Sequence, residues 1–511
     1  MKKKLVAVLL AGAMAMSLLA GCGSDTASES SQTNAPSTES SAVGEDETYT
    51  VVMGYIGDGF EDEELIEEKI NEIIEPELNA KLDLRQYSWG TYQQELQLTL
   101  SGDEKLDIVP IIVTNAAGYV NNGQVIDITG LIEKYGTNIK KYVNEDFLTC
   151  PKIGNLTYGV TSMREQITDE GVMMRRDIVE EMGYSVDEQG LVTDINNIQD
   201  LTKLYEKVHA AYPTMVVCGS SAGNTPLFRW ETSDFLTDGF GVLMDYGQST
   251  EVVNLYETEE FREFANLMYE WNQAGYFSSD AATTTEALQS MIKAGNTFSY
   301  FTPYKAGAIE QDELASGVDL VYAELFGDPY ITSFSINYLT WGIARNSTNP
   351  EKAFQVLDYI YGSADVMNLL NWGIEGKHYK VVDEENKVIT YADGVTADNT
   401  GWCLNIGWEL PNQEIAYVWE GETSQKWITQ HELIDSAKRS KALGFSYDSS
   451  VVATQLTALN NVKTQYYDAI GCGSVDPDTA IAQFNDALYA AGLQDVMDAK
   501  QEQLDAWLAQ Q

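Results

Sequence analysis

Histidine, cysteine and positive charge are all scarce in this chain of 511 residues. The three histidines, His209, His378 and His431, stand far apart and form no H-E-x-x-H motif, so nothing points to a zinc hydrolase. Five cysteines are too few for a disulfide scaffold at this length, and Cys150, Cys218, Cys403 and Cys472 lack the C-x-x-C spacing of a metal or redox site. Lys and Arg number 31 against 78 Asp and Glu, a formal net charge of −47. Such a surface repels a phosphate backbone, which excludes nucleic acid and disfavours polyanions; neutral or cationic ligands remain. Beyond the N-terminus no apolar run is long enough to span a bilayer. P-loop, post-strand G-x-G-x-x-G and D-x-[DN]-x-[DN]-G patterns are also missing, so no cofactor and no metal are expected.

What is present describes a large folded body on a leash. With 44% hydrophobic and 11% aromatic residues the bulk is globular, and roughly 150 residues per domain predicts two to four domains. The chain opens Met-Lys-Lys-Lys, continues with an apolar run over Leu5–Leu19, and ends that run in Leu19-Ala20-Gly21-Cys22. Charged start and short apolar core make a signal peptide rather than a membrane span. The four-residue ending resembles the bacterial lipobox, which implies cleavage before Cys22 and acylation of its thiol. From Gly23 to Thr48 the composition is Ser/Thr/Glu-rich with no aromatic residue; such a segment reads as a flexible tether of on the order of 25–30 Å.

The body begins with alternating strands and helices. Tyr49–Tyr55 is predicted as a buried strand, Glu61–Glu75 as a helix with Leu65, Ile66, Ile70, Ile73 and Ile74 on one face, and Ala80–Tyr87 as a second strand. Thr91–Leu100 returns to helical spacing, and Leu106–Val113 is an apolar run suited to a parallel strand. This order predicts a parallel sheet whose ligand sits beyond the strand carboxyl ends, at Gly57-Asp58-Gly59, Ser88-Trp89-Gly90 and Thr114-Asn115-Ala116. Further helices are predicted over Asn197–Tyr212, Thr258–Ala274 and Thr285–Lys293, and strands over Met215–Cys218, Thr297–Phe301 and Asn337–Ala344. A helix follows Asn349-Pro350. The last 60 or so residues read as helices, with Val451, Val452, Leu456, Leu459 and Val462 on one face, a cap at Asp476-Pro477-Asp478, and a final helix over Leu493–Leu508.

Taken in order, Trp89-Gly90 with Tyr92-Gln93-Gln94, Ser101-Gly102, Leu106-Asp107-Ile108, Ile128-Thr129-Gly130-Leu131, Tyr158-Gly159-Val160 and Asn349-Pro350-Glu351-Lys352-Ala353 resemble a known family. So do Gly373-Ile374-Glu375-Gly376-Lys377-His378-Tyr379 and the C-terminal Leu443-Gly444-Phe445 and Gly473-Ser474-Val475-Asp476-Pro477. The family is that of the lipoprotein solute-binding proteins of bacterial carbohydrate ABC importers (extracellular family 1), in a long subgroup with a helical C-terminal module. The resemblance implies an α/β, two-lobed, periplasmic-binding-protein-like clamp of type 2 topology with that helical extension. It places lobe 1 at 49–162 plus 341–380, lobe 2 at 163–340 plus 381–511, and hinge crossings near Thr161–Glu165, Ser335–Trp341 and Tyr379–Asp383. It also implies capture of an oligosaccharide or other small solute, delivery to ABC permease subunits, no enzymatic activity, and a monomer held to the outer face of the membrane through Cys22. Departures from the family pattern at Gly154–Tyr158, Trp372 and Leu404-Asn405 bear on ligand identity more than on fold.

Sugar rings offer apolar CH faces to aromatic planes and hydroxyls to polar side chains. Ten tryptophans and 29 tyrosines supply planes, and most must be core. Trp89, Thr114 and Asn115 are candidates because they follow strands two and three. Tyr304 resembles the stacking aromatic of sugar-binding relatives. Trp341 and Trp372 either face ligand or pack between lobes; Trp402 and Trp408 lie in the less regular G-W-C-L-N-I-G-W stretch. Arg164 and Glu165 reach hydroxyls or form a hinge salt link, and Asp58 binds ligand or caps the helix after it. Three other readings share some of these features. Gly219-Ser220-Ser221-Ala222-Gly223 fits G-x-S-x-G after a strand, but Pro226 discourages the helix a nucleophile elbow needs. A secreted glycan hydrolase needs a specific acid pair, which abundance of acids does not supply. A receptor subunit presenting ligand to a sensor kinase would have the same fold.

Overall fold

The computed structural model describes residues 47–511 apart from 58, 90, 168, 230–232, 306, 327, 328 and 398. The leader, Cys22, nearly all of the tether and Asp58 lie outside the described residues. Two sheets organise the body. In chain order the strands are β1 (Tyr49–Ile56), β2 (Ala80–Tyr87), β3 (Ile108–Ile112), β4 (Val160–Thr161), β5 (Asp169–Arg175), β6 (Val216–Gly219), β7 (Thr297–Tyr304), β8 (Leu320–Phe326) and β9 (Leu339–Ile343). The first sheet has the order β2-β1-β3-β9-β4, with β1 parallel to β2 and β3 and β9 antiparallel to β3. The second has the order β8-β5-β7-β6.

The first sheet follows from its pattern. Every residue of β1 except Thr50 is buried, as a strand covered on both faces requires. Helix α1 (Glu63–Leu78) places Ile66, Ile70 and Ile74 one turn apart, all fully buried, while Glu64 and Glu68 face water. It ends at Asn79, whose left-handed φ of 48° makes the C-terminal cap and turns the chain into β2. Helix α2 (Tyr92–Ser101) joins β2 to β3, and α3 (Val113–Asn121) starts directly after β3.

Each sheet has its own apolar core. Met53, Ile70, Leu357, Trp402, Leu410 and Ile434 belong to the first, and Leu201, Phe261, Phe298, Phe484 and Leu504 to the second. The chain leaves the first sheet after Thr161, enters the second at Asp169, and returns between Phe326 and Leu339. The expected boundary at 380/381 is not where the cores divide. Tyr379–Asp383 opens a small sheet with Val388–Tyr391 and Val418–Trp419, seated where the Trp372 and Trp419 rings meet at 5.3 Å. Residues as late as Ala437 still pack in the first core, and Ala442 is in the second.

The C-terminal helices Ala453–Gly471, Pro477–Ala490 and Leu493–Leu508 pack into the second core, with Phe484 against Tyr256 at 4.8 Å. Lys500 is fully buried and donates to Asp238 at 2.5 Å and to the carbonyls of Phe240 and Gly241. Val451, expected on the apolar face, is 64% exposed because it sits in a 3-10 turn before the helix begins. Among the described residues no helix is long and apolar enough to cross a membrane.

Candidate ligand-binding cleft

Where the segment after β4 passes the end of β7 and the start of β9, a cavity of about 230 Å³ is lined by Arg164, Glu165, Lys305, Tyr338 and Trp408. Its aromatic wall is set by the carboxyl ends of β1 and β2, which pair through Ile56 and Tyr87. Beyond β2, Thr91 and Tyr92 both donate to the Ser88 carbonyl, a tight turn that throws Trp89 outward to 40% exposure. At the last residue of β1, the Ile56 N–H donates to the Glu409 carboxylate at 2.7 Å. That bond pins the turn carrying Trp408 beside Trp89, and the two indoles stack at 5.8 Å and 29°. Tyr92 stands edge-on to Trp89, and Tyr338 lies 6.1 Å from Trp408 with 39% of its surface exposed. Phe334 continues the row at 6.2 Å from Tyr338.

The polar side is more tightly tied. Arg164 donates through Nη1 to the Glu165 carbonyl and through Nη2 to the Ser335 carbonyl, both at 2.7 Å, and its guanidinium lies 5.3 Å above the Tyr338 ring. Among the described residues its buried Nε–H has no acceptor. Glu165 accepts from Lys426 Nζ at 2.9 Å. Burial alone would raise the Glu165 carboxyl, but Lys426 and Lys305 outweigh it and hold it below the usual carboxylate range. Lys426 also binds Glu422, which accepts in turn from Gln311 on helix Ala308–Ser316. Glu414, bonded to His431 at 3.1 Å, is raised by burial, with the histidine opposing the shift.

Of the expected site residues, Arg164, Glu165 and Trp408 line this cavity, and Trp89 stacks on Trp408 beside it without lining it. Tyr304 ends β7 one residue before Lys305, and its side chain lies outside the described parts of the structure. Thr114 is exposed on α3 and Asn115 half-buried with an unpaired Nδ2; neither lines the cavity. Three tryptophans are corrections. Trp341, Trp372 and Trp402 are 0%, 5% and 0% exposed, and their indole N–H groups donate to the carbonyls of Glu409, Tyr417 and Leu370. An indole satisfied inside the core has no face left for a ligand. Trp341 instead holds the Glu409 turn from behind, as does the Ser162 hydroxyl.

Sequence reasoning missed Lys305, Tyr338 and Lys426. Tyr338 was read as strand but joins helix Ser333–Asn337 to β9, which is what turns its ring outward. The G-I-E-G-K-H-Y segment is structural. His378 Nδ1 accepts from the Ile374 N–H, so Nε2–H donates to Asp62 at 2.9 Å, and Lys377 shares the same oxygen at 2.6 Å. Gly373 has φ +88°, and a Cβ there would sit 2.4 Å from His378, so glycine is required. Among the described residues the G-x-S-x-G stretch runs into a turn and the 3-10 helix Pro226–Arg229 rather than an α-helix, and its motif serine, Ser221, is buried. Among the described residues no group of His, Cys, Asp and Glu is arranged to hold a metal.

The family model of the bacterial extracellular solute-binding proteins matches residues 64–367. The chain belongs to that family. A second model, a domain of unknown function (DUF3502), matches residues 441–509, the C-terminal helices described above. A carbohydrate ABC transporter substrate-binding protein of Streptococcus pneumoniae serotype 4 (strain ATCC BAA-334 / TIGR4) is 24% identical over 464 residues, 90% of this chain and 91% of its own. The solved structure of the N-glycan transport solute binding protein (NgtS) from Streptococcus pneumoniae is 22% identical with a TM-score of 0.78, covering 90% of this chain and 99% of that one. The same protein in complex with Man5GlcNAc gives 0.69 at 22% identity over 91% and 99%. The fold is therefore the two-domain α/β one of solute-binding proteins with a helical C-terminal region.

Proposed function

We propose that this solute-binding protein captures an oligosaccharide in the cavity between its two sheets and delivers it to the permease of an ABC importer. The observation that carries the reading is a cavity lined by the aromatic planes of Trp408 and Tyr338 together with Arg164 and Glu165, with half-exposed Trp89 stacked on Trp408 beside it. At about 230 Å³ it is smaller than the roughly 300 Å³ at which pockets for drug-sized ligands begin. It therefore suits one terminal ring, with the rest of the glycan running along Trp89 and Tyr92. The substrate-binding names of the relatives support the same reading. We assign Trp89, Arg164, Glu165 and Trp408 to the ligand contacts, with Tyr304 and Asp58 carried from the sequence.

The lobes of the clamp are assigned as 49–162 with 339–437, and 169–326 with 442–511. Closure is a hinge motion biased by contacts to both lobes and involves no covalent chemistry. An acylated Cys22 and the tether hold the body, acting as a monomer, at the outer face of the membrane. The hydrolase alternative needs a carboxyl pair, and among the described residues the cavity lining carries one carboxylate, Glu165, engaged by Lys426, while Glu409, pushed up to about 8 by burial, turns its carboxyl to the Ile56 N–H and is fully buried. Incubating the purified protein with glycans and following products by chromatography tests this. Products at stoichiometric turnover or above would overturn the binding-only reading. Calorimetry with the same glycans should show one-to-one binding.

A further inference from the structure

We infer that the cavity receives a carboxylate-bearing sugar ring, a uronic or related acidic residue of a glycan, with Arg164 and Lys305 as the cations that hold it. This rests on the oligosaccharide reading above and adds the ligand's charge. In a chain with 78 acidic and 31 basic residues, the cavity lining reverses the balance, with two cations and a single carboxylate. That carboxylate, Glu165, is already engaged by Lys426 at 2.9 Å. Lys426 is shared with Glu422, and Glu422 accepts a further bond from Gln311. Asp312, the other acid whose field reaches Lys305, accepts from Tyr300 and Gln289. Among the described residues neither Arg164 nor Lys305 therefore has a carboxylate of its own.

Arg164 is also prepared for such a partner. Two main-chain carbonyls and the Tyr338 ring fix its plane, and its buried Nε–H faces no acceptor. A buried donor on a charged group is costly to leave unmade, and a carboxylate is the acceptor that matches a guanidinium edge. With the acid at Arg164 and Lys305, the ring's apolar face falls toward Trp408 and Tyr338, which line the same cavity. The net charge of −47 does not forbid this. Salt screens the distant acids beyond about 8 Å, while the two cations act at contact.

Calorimetry of the purified protein tests the inference with oligosaccharide pairs that differ in the acid alone: oligogalacturonate against galacto-oligosaccharide, oligomannuronate against manno-oligosaccharide, and sialylated against asialo glycan. One acidic member should bind at least about tenfold tighter than its neutral twin, as a charge-assisted bond over a neutral one implies. Lys305→Gln and Arg164→Gln should each collapse that ratio, and Lys305→Arg should restore it. If Arg164→Gln fails to fold, the Lys305 pair decides. Neutral twins binding as tightly as the acids would overturn the inference and leave the sugar reading standing. Binding of no sugar in either series would overturn the sugar reading itself.

Discussion

Replacing Glu409 by Gln isolates one buried proton behind the binding site. The carboxyl is fully buried; one oxygen accepts the Ile56 N–H at 2.7 Å and the other has no partner. Burial pushes it from 4.5 up to about 8, with the Ile56 bond opposing the shift. In the unfolded chain the group ionises near its ordinary value, so from there up to about pH 8 the folded protein holds a proton the unfolded chain has released. The stability linked to this proton is complete below pH 4.5 and is lost progressively until the folded group ionises near 8. At about 1.4 kcal/mol per pH unit the loss approaches 5 kcal/mol. Gln keeps the acceptor for Ile56 and cannot ionise, so this slope should vanish. Denaturant unfolding of both proteins, followed by tryptophan fluorescence from pH 5 to 9, should show the variant gaining on the wild type by about 3–5 kcal/mol across the range. The Glu409 carbonyl also receives Trp341 and Ser162, so ionisation should loosen the Trp408 turn. Ligand affinity of the wild type should then fall above pH 8 while that of the variant does not. Parallel stability curves for the two proteins would refute the reasoning.

Other predictions test neighbouring parts of the structure. Trp89→Ala and Trp408→Ala should each weaken glycan binding by about 1 kcal/mol or more, read by calorimetry, as should Tyr304→Ala. Trp372→Phe should leave affinity unchanged and cost stability, because that indole serves the Tyr417 carbonyl within the core. Lys500→Met should destabilise by about 3–5 kcal/mol by leaving Asp238 buried without its partner, and adding Asp238→Asn should recover part of the loss in denaturant unfolding. Asp62→Ala removes the oxygen shared by Lys377 and His378 and should cost about 1–3 kcal/mol in the same assay.

Periodic segments were legible from residue order alone. Ala80–Tyr87 and Leu493–Leu508 occupy the spans their alternation and helical spacing predict, and Asn197, Thr258, Asn349 and Asp476 cap their helices through side-chain oxygens. Such features depend on neighbours a few residues away. The tryptophans depend on partners far along the chain. Nothing local separates Trp402, whose N–H finds the Leu370 carbonyl, from Trp408, which stays at the cavity six residues later. The same holds for Lys426, whose partner Glu165 is 261 residues away. Between Tyr391 and Lys426 the chain carries only a 3-10 turn and a two-residue strand, so no pattern marked that stretch as part of the first core. The net charge of −47 disfavours polyanions as a composition, and composition averages over a surface without resolving a local pair of cations such as Arg164 and Lys305.

The cavity lined by Trp408 and Tyr338, with Trp89 stacked on Trp408 beside it, should bind an oligosaccharide. Titration calorimetry of the wild type and Trp408→Ala against one panel of neutral and acidic oligosaccharides tests it most directly. One-to-one binding of at least one member and a loss of about fivefold or more in the variant are expected. Equal affinity of both proteins for the best ligand, or no binding by any oligosaccharide, would contradict it.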